Sequence, residues 1–332
     1  MTRVAMMGGG SWGTAFAVVL ADAGSQVTLW TRGDEMAADI NQFHRNSRYH
    51  PDVDLPDSII ATTDPQEALQ SAEIVVLAVP AQSLRANLKD WAQWISDEAV
   101  FVSLMKGIEL GTSMRMSEVI AEATGADPAR IAVVSGPNLA KEIIARQPTA
   151  TTVAASTQAS AIAIQQACTT DYFRPYWTTD VIGTEIGGAV KNVIAVANGI
   201  AVGMGLGENS QSSLITRGLA EIGRLGVALG ADPLTFLGLA GVGDLVATCQ
   251  SPLSRNRTFG ENLGKGLSVE ETIAVTNQTC EAYKSCQPIL ELAQKLGVEM
   301  PITAEVVEVL HFDKPPRELL SSFMARDTKS EL

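Results

Sequence analysis

The sequence predicts an α/β protein, with a doubly wound parallel sheet over residues 1–185 and an all-helical domain over residues 186–332. Three observations lead there. Short, near-continuous apolar runs alternate with helix-forming stretches through the first half. A glycine-rich turn, Gly8-Gly9-Gly10, closes the first of those runs. From about Val181 onward the β-type runs fade and helical segments take over. Apolar runs without polar alternation mark strands buried on both faces, as parallel strands are between layers of helices.

Val4–Met7 is the first predicted strand, and Thr14–Ala23 the helix that follows it, ending at Gly24. Val27–Trp30 is the second strand. Glu73–Val79, stopped by Pro80, and then Ala99–Leu104 and Ile131–Val134 have the same character. Beyond the change, helices are predicted over Thr184–Gly199, Ser210–Leu229, Val269–Leu296 and Ala304–Leu310, punctuated by glycine and proline. The last seven residues, Arg326–Leu332, are polar and are expected to fray.

Composition narrows the function classes. A chain of 332 residues suits two domains. With 46% hydrophobic and 18% charged residues, disorder is excluded for most of it. There are 24 Lys and Arg against 37 Asp and Glu, a formal charge of −13. Such a surface repels phosphodiester backbones and anionic lipid, so neither nucleic acid nor a membrane surface is an expected partner. A local cluster of cations can still bind a small anion, because salt screens the distant charges. Cys168, Cys249, Cys280 and Cys286 form no CxxC pair, and His44, His50 and His311 are scattered, so no metal is expected. No signal peptide or membrane-spanning apolar run is apparent, and a reduced, cytoplasmic protein is expected.

Gly8-x-Gly10-x-x-Gly13 follows a predicted strand, opens a predicted helix and precedes a second strand. In a Rossmann-type dinucleotide site the first glycine permits the tight turn. The second lets backbone approach the pyrophosphate, and the third lets helix and strand pack closely. The pyrophosphate then rests on unpaired N–H groups at the helix N-terminus. The alternative is a purely structural glycine turn. NAD-selective sites place Asp or Glu about 20 residues further on. Here that place reads Trp30-Thr31-Arg32, with no carboxylate until Asp34. An arginine can meet a 2′-phosphate, so NADPH is expected to be accepted and preferred. The alternative has Arg32 stacked on adenine or solvated.

Two lysines stand in apolar or small-residue surroundings. Lys106 lies just past the fourth predicted strand, and ligands of open α/β sheets bind outside the carboxyl ends of strands. Lys191 has no charged neighbour between Glu185 and Glu208. Desolvation there would lower its pKa toward that of a working general acid. Either lysine could instead be a solvated surface charge. Ser251-Pro252-Leu253-Ser254-Arg255-Asn256-Arg257 is a candidate phosphate clamp, or a helix N-cap at Ser254 with solvated arginines. Asp244, among glycines and apolar residues, can hold a lysine ammonium or cap a helix. Gly260–Gly266 is one residue short of a P-loop and lacks the Ser or Thr after its lysine, so ATP binding is rejected there.

In order along the chain stand GGGSWGTAFA (8–17), MKGIE (105–109), SGPNLAKEI (135–143), KNVIAVANGI (191–200), SLITRGLAEIGRLG (213–226) and LAGVGDLVATCQSPLSRNRTFG (239–260). Together they resemble the bacterial-type NAD(P)-dependent sn-glycerol-3-phosphate dehydrogenases over roughly residues 2–312. The resemblance implies reversible hydride transfer between NAD(P)H and dihydroxyacetone phosphate, giving sn-glycerol 3-phosphate for phospholipid synthesis. It puts the catalytic lysine at Lys191, a second active-site lysine at Lys106 and an active-site aspartate at Asp244. It assigns the substrate phosphate to Ser254, Arg255 and Asn256, and a substrate loop to Gly136 and Asn138. Cofactor contacts fall on Ser11, Trp12, Arg32, Lys106, Ala140, Arg255 and Glu281, beside the three motif glycines. A homodimer is expected. The chain departs from the family pattern at Leu139, where Phe is usual, at Glu208-Asn209, and at Thr279-Cys280-Glu281-Ala282, where a VEG-type segment is usual. The last change bears on the Glu281 contact and on cofactor preference. Two rival readings are a two-domain dehydrogenase of hydroxy or sugar acids and a nucleotide-sensing regulator without turnover.

Overall fold

The structure, a computed structural model, describes residues 1–276 and 280–319. Thr279 and the tail Arg326–Leu332, where fraying is expected, lie outside the described residues. Eight strands form one sheet: β1 (Arg3–Met7), β2 (Gln26–Trp30), β3 (Ile59–Thr62), β4 (Ile74–Leu77), β5 (Val100–Ser103), β6 (Ile131–Ser135), β7 (Thr149–Ala155) and β8 (Phe173–Thr178). Their order is β3-β2-β1-β4-β5-β6-β7-β8, and every neighbouring pair is parallel except β6–β7. β4 and β6 are buried along their whole length, which is why their sequences are almost uninterrupted Ile, Val, Ala and Leu. The chain turns from β6 through only the short helix Ala140–Ile144 into β7. β7 pairs with β6 antiparallel, with Ser135 opposite Thr152.

The five strands read from sequence are present, and three more join them. β3 exposes Ile60 on one face. β7 is rich in threonine, and its buried Thr151 is satisfied by donating to the Ser135 carbonyl at 3.1 Å. β8 carries Pro175, which an edge strand tolerates because one row of its backbone groups needs no partner.

The helical region is built around Val181–Gly203, buried continuously from Gly183 to Ala201. Asp180 caps it, its Oδ1 accepting the Gly183 N–H at 2.9 Å. This helix is long and apolar enough to cross a membrane, yet 89% of its apolar window is buried inside the protein. Helices Glu208–Ala228, Asp244–Gln250, Arg255–Gly264, Glu281–Lys295 and Pro301–His311 cover it. Arg255–Gly264 lies closest: a Cβ on Gly199 would stand 2.1 Å from the Arg257 carbonyl oxygen. The helix read as Val269–Leu296 is two, Val269–Thr276 and Glu281–Lys295, the second starting after Cys280 in extended backbone. The first described helix of this region begins three residues before the predicted Thr184, because the Asp180 cap sets its start.

Candidate active site

The nucleotide turn comes first. β1 lies between β2 and β4, and its carboxyl end leads into Gly8-Gly9-Gly10 at the point where the chain's strand order reverses. Helix Ser11–Asp22 starts there without a side-chain cap. A Cβ on Gly13 would stand 2.0 Å from the Gly8 carbonyl oxygen, so a side chain would force helix and strand apart. A Cβ on Gly10 would meet nothing within 4 Å, which leaves the front of the turn open. Among the described residues the amides of Gly10, Ser11, Trp12 and Gly13 have no hydrogen-bond partner. The Trp12 indole Nε1 is likewise buried and unpartnered. Free amides, a helix N-terminus and open space in front fit a dinucleotide's diphosphate. Arg32, just past β2, is exposed and has no ion pair among the described residues. The first carboxylate after it, Asp34, instead accepts from the Thr63 hydroxyl at 2.8 Å.

The lysines meet at one carboxylate. Lys106 follows β5, and its Nζ donates to the Gly136 carbonyl at 3.1 Å and to Asp244 Oδ2 at 2.5 Å. Lys191 sits in the middle of Val181–Gly203, 6% exposed. Its Nζ donates to Asp244 Oδ1 and, at 2.6 Å, to the Thr248 hydroxyl. Asp244 is the first residue of its helix, after the N-cap Gly243, and it makes no cap. Thr248 is one helical turn further on, hence on the same face. Two ammonium groups and one carboxylate thus form a bridge of net charge +1 between sheet and helices. Burial brings the Lys191 ammonium down to about 8, with the Asp244 charge opposing and Lys106 adding to the fall.

The polar loop splits its roles. Ser254 caps helix Arg255–Gly264, its hydroxyl accepting the Arg257 N–H at 3.3 Å, so the cap alternative describes that side chain. Arg255 is exposed at the helix start, without an ion pair among the described residues. Asn256 is buried and fixed at both ends. Its amide donates to Asn192 Oδ1 at 2.9 Å, and its oxygen accepts from the Ala282 N–H at 3.3 Å and the Cys280 thiol at 3.1 Å. Burial pushes the Glu281 carboxyl up, with the Arg255 charge opposing, so these two side chains share one field. Gly136 and Asn138 follow β6. Asn138 donates to Thr151 at 3.0 Å, and its Oδ1 is buried and unpartnered. Ala140 and Trp12 pack against the same core.

The sequence singled out neither Thr248 nor Asn192. Thr248 stands four residues after Asp244, and Asn192 is the neighbour of Lys191, so local spacing carried both signals. Among the described residues no group of three or more His, Cys, Asp or Glu side chains is placed to hold a metal ion.

Two family models match: residues 3–161 fit the N-terminus, and residues 180–321 the C-terminus, of NAD-dependent glycerol-3-phosphate dehydrogenase. The chain is 60% identical over 329 residues to a glycerol-3-phosphate dehydrogenase [NAD(P)+] of Streptomyces griseus, covering 99% of this chain and 98% of that protein. It is 57% identical to one of Corynebacterium glutamicum over 332 residues and all of both chains. The crystal structure of glycerol-3-phosphate dehydrogenase from Coxiella burnetii superposes with a TM-score of 0.93 at 36% identity, covering 97% of this chain and 98% of that one. The glycine turn, the paired lysines and both family matches agree, and the chain belongs to the NAD-dependent glycerol-3-phosphate dehydrogenase family.

Proposed function

We propose that this chain reduces dihydroxyacetone phosphate with NAD(P)H, reversibly, to sn-glycerol 3-phosphate for glycerophospholipid synthesis. The observation that carries the reading is the Lys106–Asp244–Lys191 bridge beyond the carboxyl ends of β5 and β6. When bound, the dinucleotide supplies the hydride. Gly8, Gly10, Ser11, Trp12 and Gly13 hold its diphosphate, Arg32 its ribose end, and Lys106, Ala140, Arg255 and Glu281 the remainder. Ser254, Arg255 and Asn256 receive the substrate phosphate at a helix N-terminus, where free amides and an exposed guanidinium favour a dianion. Gly136 and Asn138 line the opposite wall. Lys191 polarises the ketone oxygen and gives it the Nζ proton. Lys106 sets a second positive charge beside the developing alkoxide, and Asp244 aims both ammonium groups. In this reading residues 1–185 supply most of the nucleotide contacts together with Lys106 and the Gly136–Asn138 wall, and residues 186–332 supply the acid, the phosphate clamp and the nucleotide contacts of Arg255 and Glu281. The protein works as a cytoplasmic homodimer outside the membrane, the long apolar helix being sheathed by its neighbours.

The test is an absorbance assay with dihydroxyacetone phosphate and either reduced nucleotide. Rapid oxidation of NADPH or NADH, with unphosphorylated dihydroxyacetone far slower, is the expected result. Equal reduction of the unphosphorylated ketone overturns the clamp. Turnover of hydroxy or sugar acids instead, or nucleotide binding without turnover, favours a rival. Arg32→Ala is expected to erode the preference for NADPH over NADH by about one to two decades, the value of a charge-assisted hydrogen bond. Kd values for the two nucleotides check this, and unchanged selectivity would favour adenine stacking.

A further inference from the structure

A turn at residues 46–50 is fastened to the glycine motif by two buried side chains. The Tyr49 and His50 N–H groups both donate to the Asn46 carbonyl, at 3.1 and 2.8 Å, which folds the segment back on itself. From one end, the Asn46 amide donates to the Gly9 carbonyl at 3.0 Å and to the Thr14 hydroxyl at 2.9 Å. From the other, His50 Nε2 lies 2.9 Å from the Ser11 carbonyl oxygen and 3.2 Å from the Ser11 hydroxyl. Asn46 is fully buried and His50 is 3% exposed, so water does not compete for these bonds.

We infer that the Asn46–His50 turn is a clasp that pre-aims the backbone amides of the glycine motif at a dinucleotide's diphosphate, with His50 as a positioning residue donating through Nε2. The inference rests on the nucleotide reading given above. A trans peptide is planar, with its C=O and the following N–H on opposite sides. Pinning the Gly9 carbonyl toward Asn46 therefore turns the Gly10 N–H the other way, and pinning the Ser11 carbonyl does the same for Trp12. Both of those amides are free among the described residues. Gly10, with no side chain to brace it and open space around it, otherwise has the freedom to turn its amide away. The clasp removes that freedom before the ligand arrives, which strengthens binding without a direct contact. A carbonyl can only accept, so the geometry assigns His50 the tautomer with its proton on Nε2. Burial holds the imidazole pKa down and Lys141 adds to this, while the Ser11 carbonyl opposes; the net effect favours the neutral ring.

Calorimetric titration of the full chain with NADPH and with NADH tests this through His50→Leu and His50→Gln. Glutamine carries an N–H donor at about the place of Nε2, and leucine carries none. His50→Leu is expected to raise Kd for both nucleotides alike by about tenfold, as one lost hydrogen bond implies. His50→Gln is expected to stay within about twofold of the native chain. An unchanged Kd in His50→Leu, or equal weakening in both variants, overturns the clasp. Failure of the native chain to bind either nucleotide instead removes the reading beneath it. Should His50→Leu not fold, nitrogen-15 spectra of the native chain decide: protonated Nε2 supports the assignment, and protonated Nδ1 overturns it.

Discussion

Replacing Lys191 with methionine lowers kcat for ketone reduction by about 10²–10⁴-fold, the contribution of a positioned acid, and leaves Kd for NADPH within about twofold. Methionine keeps most of the aliphatic volume and removes the ammonium. The side chain is enclosed in the middle of the central helix, where two of its three donors go to Asp244 and Thr248 and the third is left for the ketone. No other ammonium on this helix can replace it, and Lys106 stands on the far side of Asp244. The variant does not leave Asp244 uncompensated, because Lys106 still faces its other oxygen. Folding is therefore expected to survive, and stopped-flow turnover set against nucleotide titration separates chemistry from binding. A loss of turnover below about threefold would remove Lys191 from the role.

Asp244→Asn has the larger effect on stability. It keeps the shape and removes the one negative charge between two ammonium groups. Breaking a buried ion pair from one side costs about 3–5 kcal/mol, because a charge is left in the interior without its partner. Lys191 answers by losing its proton more readily. Its pKa already lies near 8, and removal of the opposing Asp244 charge takes it lower. The sign of the pH dependence follows. In the unfolded chain a lysine holds its proton to about 10.5, so between the folded and unfolded values the unfolded state binds more protons. Stability therefore rises with pH through that window, from about pH 8 in the native chain and from a lower pH in the variant. Urea unfolding at several pH values measures both shifts. A variant as stable as the native chain, with an unmoved pH profile, would mean that the carboxylate does not hold the lysines.

Much of this was legible in the residues. The strands buried on both faces announced themselves because nothing polar interrupts them, as in β4 and β6. β7 and β8 escaped because threonine and proline disguise strands whose polar groups are satisfied only by tertiary contacts, as Thr151 is by Ser135. Lys191 stood out by its isolation in sequence. That isolation ends in space, since its partner Asp244 is 53 residues away along the chain, and Lys106, from another layer, holds that aspartate's other oxygen. Asp244 kept two readings until the fold put a lysine on each oxygen. Ser254 also kept two: its hydroxyl caps a helix, at the same N-terminus where the phosphate clamp is proposed. His50 gave no signal at all: its partner Ser11 lies 39 residues earlier, and nothing in the local pattern links a lone histidine to a glycine turn.

The most direct test of the central claim, that Lys191 delivers the proton to the ketone oxygen, is the pH dependence of kcat/KM for dihydroxyacetone phosphate at saturating NADPH. The lysine must be protonated to donate, so the profile is expected to be level below about pH 8 and to fall about tenfold per pH unit above it, while oxidation of sn-glycerol 3-phosphate rises over the same range. A reduction rate that stays level to pH 10, or one that increases above pH 8, would contradict it.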